Sequence, residues 1–202
     1  MRVLRAPAHG IYAGGVVRVA RDDRTWRIGT DAEVAWIDSG TTRGLTISAA
    51  IPPVFEAYAT VVIPDTAERW DSHDRAMLAL LSEQSDQPWW LGYLETGADD
   101  TVFPDAPKVT LYPGWHYVLV EAGPEQAATW RRRGLASFWT RSLPDLMFPA
   151  DRSWLVSRLW DDDWTCIGGT AALMRRFVSH PVLEARLVAL GEDATPPGHQ
   201  AF

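Results

Sequence analysis

The chain carries one cysteine, Cys166, in 202 residues. That excludes an intramolecular disulfide and an all-cysteine metal site within one chain, and it fits a reducing compartment. No apolar run reaches the roughly 18 residues that a membrane-spanning helix requires. The first twenty residues hold Arg2, Arg5 and Arg18 but no continuous apolar stretch, so a secretory signal is not expected. Basic charge is scarce too. A net charge of -7 argues against a general nucleic-acid binder, whose affinity rests on neutralising phosphates. These absences lead to the expectation of a cytoplasmic protein with neither a membrane nor a nucleic-acid partner.

Recognisable catalytic signatures are missing as well. There is no G-x-S-x-G elbow, no P-loop and no G-x-G-x-x-G. The five histidines, at 9, 73, 116, 180 and 199, never show the i, i+4 spacing of a helical metal pair. Asp161-Asp162-Asp163 lacks the later glutamate of a calcium loop and reads as a solvated turn. Gly168-Gly169-Thr170 could present backbone N–H groups to an anion, yet it reads first as a tight strand-to-helix turn with a positive φ. Cys166, between Thr165 and Ile167 in an apolar strand, has none of the electropositive surroundings of a reactive thiol. No metal and no cofactor are expected.

What is abundant is tryptophan, with eleven residues. Each ring buries a large area and brings one N–H that needs an acceptor, so it suits cores, interfaces and stacking sites alike. The aromatic series runs through Trp89, Trp90, Tyr93, Tyr112, Trp115, Tyr117, Trp154, Trp160 and Trp164. Packing in a sheet–helix core is the leading reading. If several rings shared an exposed face they would bind a protein or a small apolar or planar ligand, with Trp89, Trp90, Tyr93, Trp115, Trp160 and Trp164 as the candidates.

Patterning predicts an α+β fold, with a mostly antiparallel sheet and a few helices packed on one face. Residues 1–190 form one domain and 191–202 a flexible tail rich in proline and glycine. Residues 11–28 read as a hairpin closed by Arg21-Asp22-Asp23-Arg24. Short strands are expected at 34–38, in the β-branched end of 54–63, at 89–96, 108–122, 154–159, 165–167 and 185–190. Helices are expected at 73–84, 124–133 and 170–180, the last capped by Thr170 and stopped by Pro181. Arg131-Arg132-Arg133 would then offset a helix dipole, and 136–151 would be irregular. Trp154 should be mostly buried.

Several segments also resemble a family of uncharacterised actinobacterial proteins. Ile51-Pro-Pro-Val-Phe-Glu-Ala-Tyr-Ala59 is similar to its V-P-x-G-F-E-A-Y-A element, with Pro53 in place of the glycine. Trp90-Leu-Gly-Tyr-Leu-Glu95 resembles W-F-x-L-W-x-G-Y-G, and Tyr117-Val-Leu-Val-Glu-Ala-Gly-Pro124 resembles Y-x-L-F-x-G-P. Pro149-Ala-Asp-Arg-Ser-Trp154 followed by Asp163, Thr165 and Gly168-Gly169 is similar to P-x-D-R-x-W…D-x-x-T-x-x-G-G, and Leu183-Glu-Ala to its L-E-x end. The matches run in order over about residues 34 to 190. The closing Asp-x-x-N of that family is absent. The resemblance implies a cytoplasmic setting and no mechanism.

Two functional expectations follow. One is a non-catalytic interaction or ligand-binding protein, of which an immunity-like or antitoxin-like role against a basic partner is a form that suits the acidic charge. The other is a hydrolase or metal-assisted enzyme built on Asp151, Arg152, Asp163 and His116, because arginine offers a carboxylate or phosphate a bidentate fork.

Overall fold

Asp22 and Asp23 both take left-handed backbone angles, φ 53° and 58°, which a two-residue hairpin turn requires. They close the expected N-terminal hairpin. The computed structural model describes residues 11–13, 16–96, 102–131, 143–159 and 162–201. In chain order these form β1 (Ile11–Ala13), β2 (Val16–Arg21), β3 (Arg24–Ile28) and α1 (Asp31–Asp38), then a 3-10 turn at Ile47–Ala49. There follow β4 (Ala57–Val62), α2 (Ala67–Ser82), β5 (Trp89–Leu94), β6 (Val109–Leu111), β7 (Trp115–Ala122) and α3 (Pro124–Thr129). The chain continues through β8 (Leu146–Pro149), β9 (Leu155–Ser157), β10 (Trp164–Gly169), α4 (Ala171–Ser179) and β11 (Glu184–Leu187).

The strands form one antiparallel sheet in the order β1-β2-β3-β7-β5-β8-β9-β10-β4-β11, with β6 also on β7. The fold is therefore α+β, as the patterning predicts. Three of its helices, α2, α3 and α4, pack on one face, where Met77, Leu81, Ala127, Leu173 and Phe177 meet Trp89, Tyr93, Val118, Met147, Val156 and Ile167. The opposite face carries Trp90, Tyr117, Leu119, Phe148, Leu155, Trp164 and Cys166. Its cover is α1, the 3-10 turn with its flanking loop and the C-terminal segment, through Val34, Ile37, Ile47, Ile51 and Ala194. Both faces are thus buried. This is why β5 and β10 read as continuous apolar runs and not as alternations, the usual mark of a sheet with one wet face.

Several local expectations need correction. Residues 34–38 lie in a helix, not a strand. Glu33 accepts from the Thr30 backbone N–H at 2.8 Å and from its hydroxyl at 2.7 Å, a cap that outweighs the strand propensity of Val34 and Ile37. The run 108–122 is broken into β6 and β7 by a turn at Tyr112-Pro113-Gly114, where Tyr112 (φ 55°) and Gly114 (φ 98°) both turn left-handed. Within the supposedly irregular 136–151, Leu146–Pro149 becomes a strand because β5 and β9 offer it pairing on both sides. Gly168 and Gly169 are regular β10 residues without positive φ. Their role is close approach, since a Cβ on Gly168 would stand 2.3 Å from the Phe55 ring.

The α4 cap forms as expected, the Thr170 hydroxyl accepting from Leu173 N at 3.1 Å. The C-terminal segment is docked. Ala194 N donates to Leu45 O at 2.8 Å, Arg186 donates to the carbonyls of Asp193 and Thr195, and His199 Nδ1 meets Asp163 Oδ2 at 2.7 Å. Among the described residues, no helix is long and apolar enough to cross a membrane.

Candidate functional site

Against the sheet, the cover of α1, loops and C-terminal segment leaves more space than α2 does, while a cleft of about 440 Å³ between α2 and α3 is lined by helix residues alone. Cys166 lies on β10 between Thr60 of β4 and Ser157 of β9, and Arg186 of β11 lies beyond Thr60. Directly opposed residues in a sheet share a face, so these four make a cross-strand row of polar groups on the side of Trp164 and Cys166. Ser157 Oγ sits 2.6 Å from the Tyr112 hydroxyl, which also donates to Ala50 O at 3.0 Å. These bonds hold a bulky residue in a left-handed conformation that it rarely adopts. Desolvation pushes the Tyr112 phenol well above its ordinary pKa, even against the hydrogen bond from Ser157, so it remains a neutral hydrogen-bonding group.

Two adjoining cavities open beside this row. The inner one, about 150 Å³, is bounded by Trp115, Leu159, Trp164, Cys166, Asp162 and Ala49, and by Ala194, Thr195 and Ala201 of the C-terminal segment. The outer one, about 350 Å³, has Trp115, Leu159 and Ala49 in common with it and adds Tyr112, Pro113, Asp38, Thr41, Thr42 and Arg43. Trp115 is half-buried and borders both. Its ring lies edge-on to Tyr112 with centroids 5.9 Å apart. Burial, together with the Asp162 carboxylate, pushes the Cys166 thiol well up, and it is a neutral wall group. The buried Trp164 Nε1–H makes no hydrogen bond of normal geometry, the Cys166 sulfur beside it being a weak acceptor. Among the described residues, the buried Thr60 hydroxyl has no hydrogen-bond partner.

The remaining sequence candidates fall elsewhere. Trp89, Trp90 and Tyr93 are not a binding face: they are 1%, 4% and 0% exposed and fill the two cores. Trp89 packs edge-on against Trp154, and Trp90 lies under Arg27. Trp164 is also buried, at 3%, but borders the inner cavity. Trp160 and Asp161 lie outside the described residues, as do Arg132 and Arg133. The six proposed binding aromatics therefore do not form one exposed platform, and of those described only Trp115 and Trp164 reach the cavities.

Asp151, Arg152, Asp163 and His116 are not brought together either. Asp151 accepts from Ser85 Oγ at 2.7 Å and from Ser153 N at 3.0 Å, a turn-capping role. Arg152 lies over the Trp36 ring, Asp163 holds His199, and His116 stands opposite Thr110 on the β6–β7 pair. Each has its own local partner.

Two buried polar groups escaped the sequence reading. Arg131 does not offset a helix dipole. It is 4% exposed and forks onto Asp145, which also accepts from Arg158 and, at 2.9 Å, from Leu94 N. Although burial disfavours its charge, Arg131 and Arg158 hold the Asp145 carboxyl well below the usual carboxylate range. His73, also buried, directs Nδ1 to Asp74 Oδ1 at 3.1 Å, and its Nε2 is unpartnered. The cavity beside it is only about 30 Å³, room for a water molecule or two and not for a substrate. Among the described residues, no group of three or more His, Cys, Asp or Glu side chains could hold a metal ion.

No protein-family model, curated protein or solved structure matches this chain.

Proposed function

We propose that the protein is a non-catalytic binder of a small apolar or planar ligand, taken up in the paired cavities at Trp115. One observation carries this reading. An aromatic-walled space of ligand size opens beneath the loop cover, and the half-buried Trp115 ring borders both of its parts. Pockets that take small molecules are mostly apolar, with a few placed polar groups, and this one has that composition. The hydrolase reading gains no support, since its four side chains stand apart with separate local partners.

Saturation-transfer NMR with a panel of single-ring aromatic fragments tests the proposal. Wild-type protein binds several of them at millimolar concentration, and Trp115→Ala weakens them by about tenfold while its thermal midpoint stays near that of wild type. Fragments that bind the variant as well as they bind wild type would place the ligand elsewhere and end the reading.

A further inference from the structure

We propose that the free edge of β11 pairs with the same edge of a second copy of this chain, antiparallel about a two-fold axis at Ala185, so that the sheet continues across a dimer. The inference does not depend on the cavities at Trp115. β11 is the last strand of the sheet and is paired on one side only, with β4. Its register on β4, with Val188 N donating to Tyr58 O at 3.0 Å, turns the backbone N–H and C=O groups of Glu184 and Arg186 towards β4. Those of Ala185 and Leu187 therefore point outward. Among the described residues they meet no partner. An edge with unpaired backbone groups is a template for another strand.

The segment that carries this edge is also where apolar surface collects. Of the six large hydrophobic side chains exposed among the described residues, four lie between 178 and 190. Val178 is on the last turn of α4, Val182 in the turn that joins α4 to β11, Leu187 on β11 and Leu190 just beyond it. A single exposed leucine is ordinary, whereas a grouping along one free edge marks a contact surface.

Charge selects the second copy and fixes the register. Outward-facing residues must oppose outward-facing residues, which lets the axis fall at Ala185, Arg186 or Leu187. An axis at Arg186 sets two guanidinium groups directly against each other, a destabilising pair. An axis at Leu187 sets Glu184 against Leu190. Only the axis at Ala185 sets Glu184 of each copy opposite Arg186 of the other, on the same face of the sheet. Arg186 holds Glu192 at 2.6 Å within the chain and keeps part of its side chain exposed, whereas Glu184 is exposed and makes no ion pair among the described residues. The same axis lets each Ala185 N–H donate to the other Ala185 carbonyl and brings Leu187 opposite Leu183. Such a pairing is two-fold and closes on itself, so it stops at the dimer.

Sedimentation velocity on the full chain tests this. The sedimentation coefficient should rise towards that of a dimer between about 5 and about 300 µM, the range in which small interfaces associate. Amide hydrogen exchange at Ala185 and Leu187 should slow by about threefold over that range, while the Arg186 amide, which faces β4, is protected throughout. Ala185→Pro removes an outward N–H and touches no hydrogen bond to β4, so it should stay monomeric at about 300 µM with the circular dichroism of wild type. Glu184→Lys sets like charge against Arg186 and should weaken the dimer by about tenfold, and it decides the matter should the proline variant fail to fold. A chain that remains monomeric at about 300 µM overturns the proposal. A dimer that folded Ala185→Pro or Glu184→Lys retains at full strength overturns it as well, and so does one that leaves exchange at Ala185 and Leu187 unchanged.

Discussion

The two faces of the sheet are buried in different ways. Under α2, the space against the sheet is a void of about 30 Å³; beneath the loops and C-terminal segment, cavities of about 150 and 350 Å³ remain. A helix lays a regular stripe of long side chains into the sheet, and Met77, Leu81, Leu173, Met174 and Phe177 do so here. The opposite cover bonds to itself through its backbone and presents small residues, Gly44, Ala49, Ala50, Ala194 and Ala201, to the space beneath. Loops held over a rigid scaffold are where binding sites concentrate. Next to the strands, one face supplies stability and the other supplies room; the cleft of about 440 Å³ on the helix side lies between α2 and α3 and has no strand residue in its lining.

The largest expected effect is on the helix face. Trp154 is fully buried and stacks edge-on against Trp89 at 4.7 Å, so Trp154→Ala should cost about 3–5 kcal/mol in lost transfer energy and cavity. A urea titration checks this, and a loss under about 1 kcal/mol would break the contrast between the faces.

Asp145→Asn comes next. It leaves the Arg131 and Arg158 guanidinium groups without their carboxylate, at a cost of about 3 kcal/mol. The folded Asp145 pKa is depressed, so its contribution is present above the unfolded value of about 3.9 and is lost as pH falls below that towards the folded value. Urea midpoints measured from pH 7 down to pH 2.5 should therefore fall more steeply for wild type than for Asp145→Asn below about pH 4.

Gly168→Ala probes the fit of the loop cover. Its Cβ would meet the Phe55 ring at 2.3 Å and Ile51 at 2.7 Å, and overpacking of this kind costs about 1–3 kcal/mol. Gly169→Ala meets the flexible ends of Leu173 and Met174 at 3.1 and 3.3 Å and should cost less, which paired thermal melts will compare. The smallest stability change belongs to Trp115→Ala. A half-buried ring at a cavity mouth should contribute only about 1 kcal/mol to folding by calorimetry, while the proposed binding role predicts about tenfold weaker fragment binding for the same variant.

Where elements carried their own local signal, the sequence was readable. Thr170 before an apolar helical stripe marked α4, Arg21-Asp22-Asp23-Arg24 marked a hairpin, and the β-branched end of 54–63 marked β4. Thr30 and Glu33 held an equally local signal for α1, outweighed in the reading by the β-branched content of 34–38. No such signal existed for β8, whose strand character depends on neighbours 50 residues away and more in one direction and about ten in the other. The site was half legible: Trp115, Trp164 and Tyr112 stood in the aromatic series, but nothing in their spacing distinguished them from Trp89 or Tyr93.

By itself, then, the amino-acid sequence determined the class of the fold, the acidic charge, most of the helices and strands, and the fact that many aromatic rings would have to be buried. Those properties follow from local backbone preference and from the composition of short windows. Tertiary structure alone decided which face each ring would occupy, that Arg131 would meet Asp145 and not a helix end, and that Ala194, Thr195 and Ala201 would wall a cavity with residues 150 positions earlier. The reason is physical. A side chain's face is set by strand register, and register is settled only when every strand has found its neighbours and both apolar surfaces have been covered.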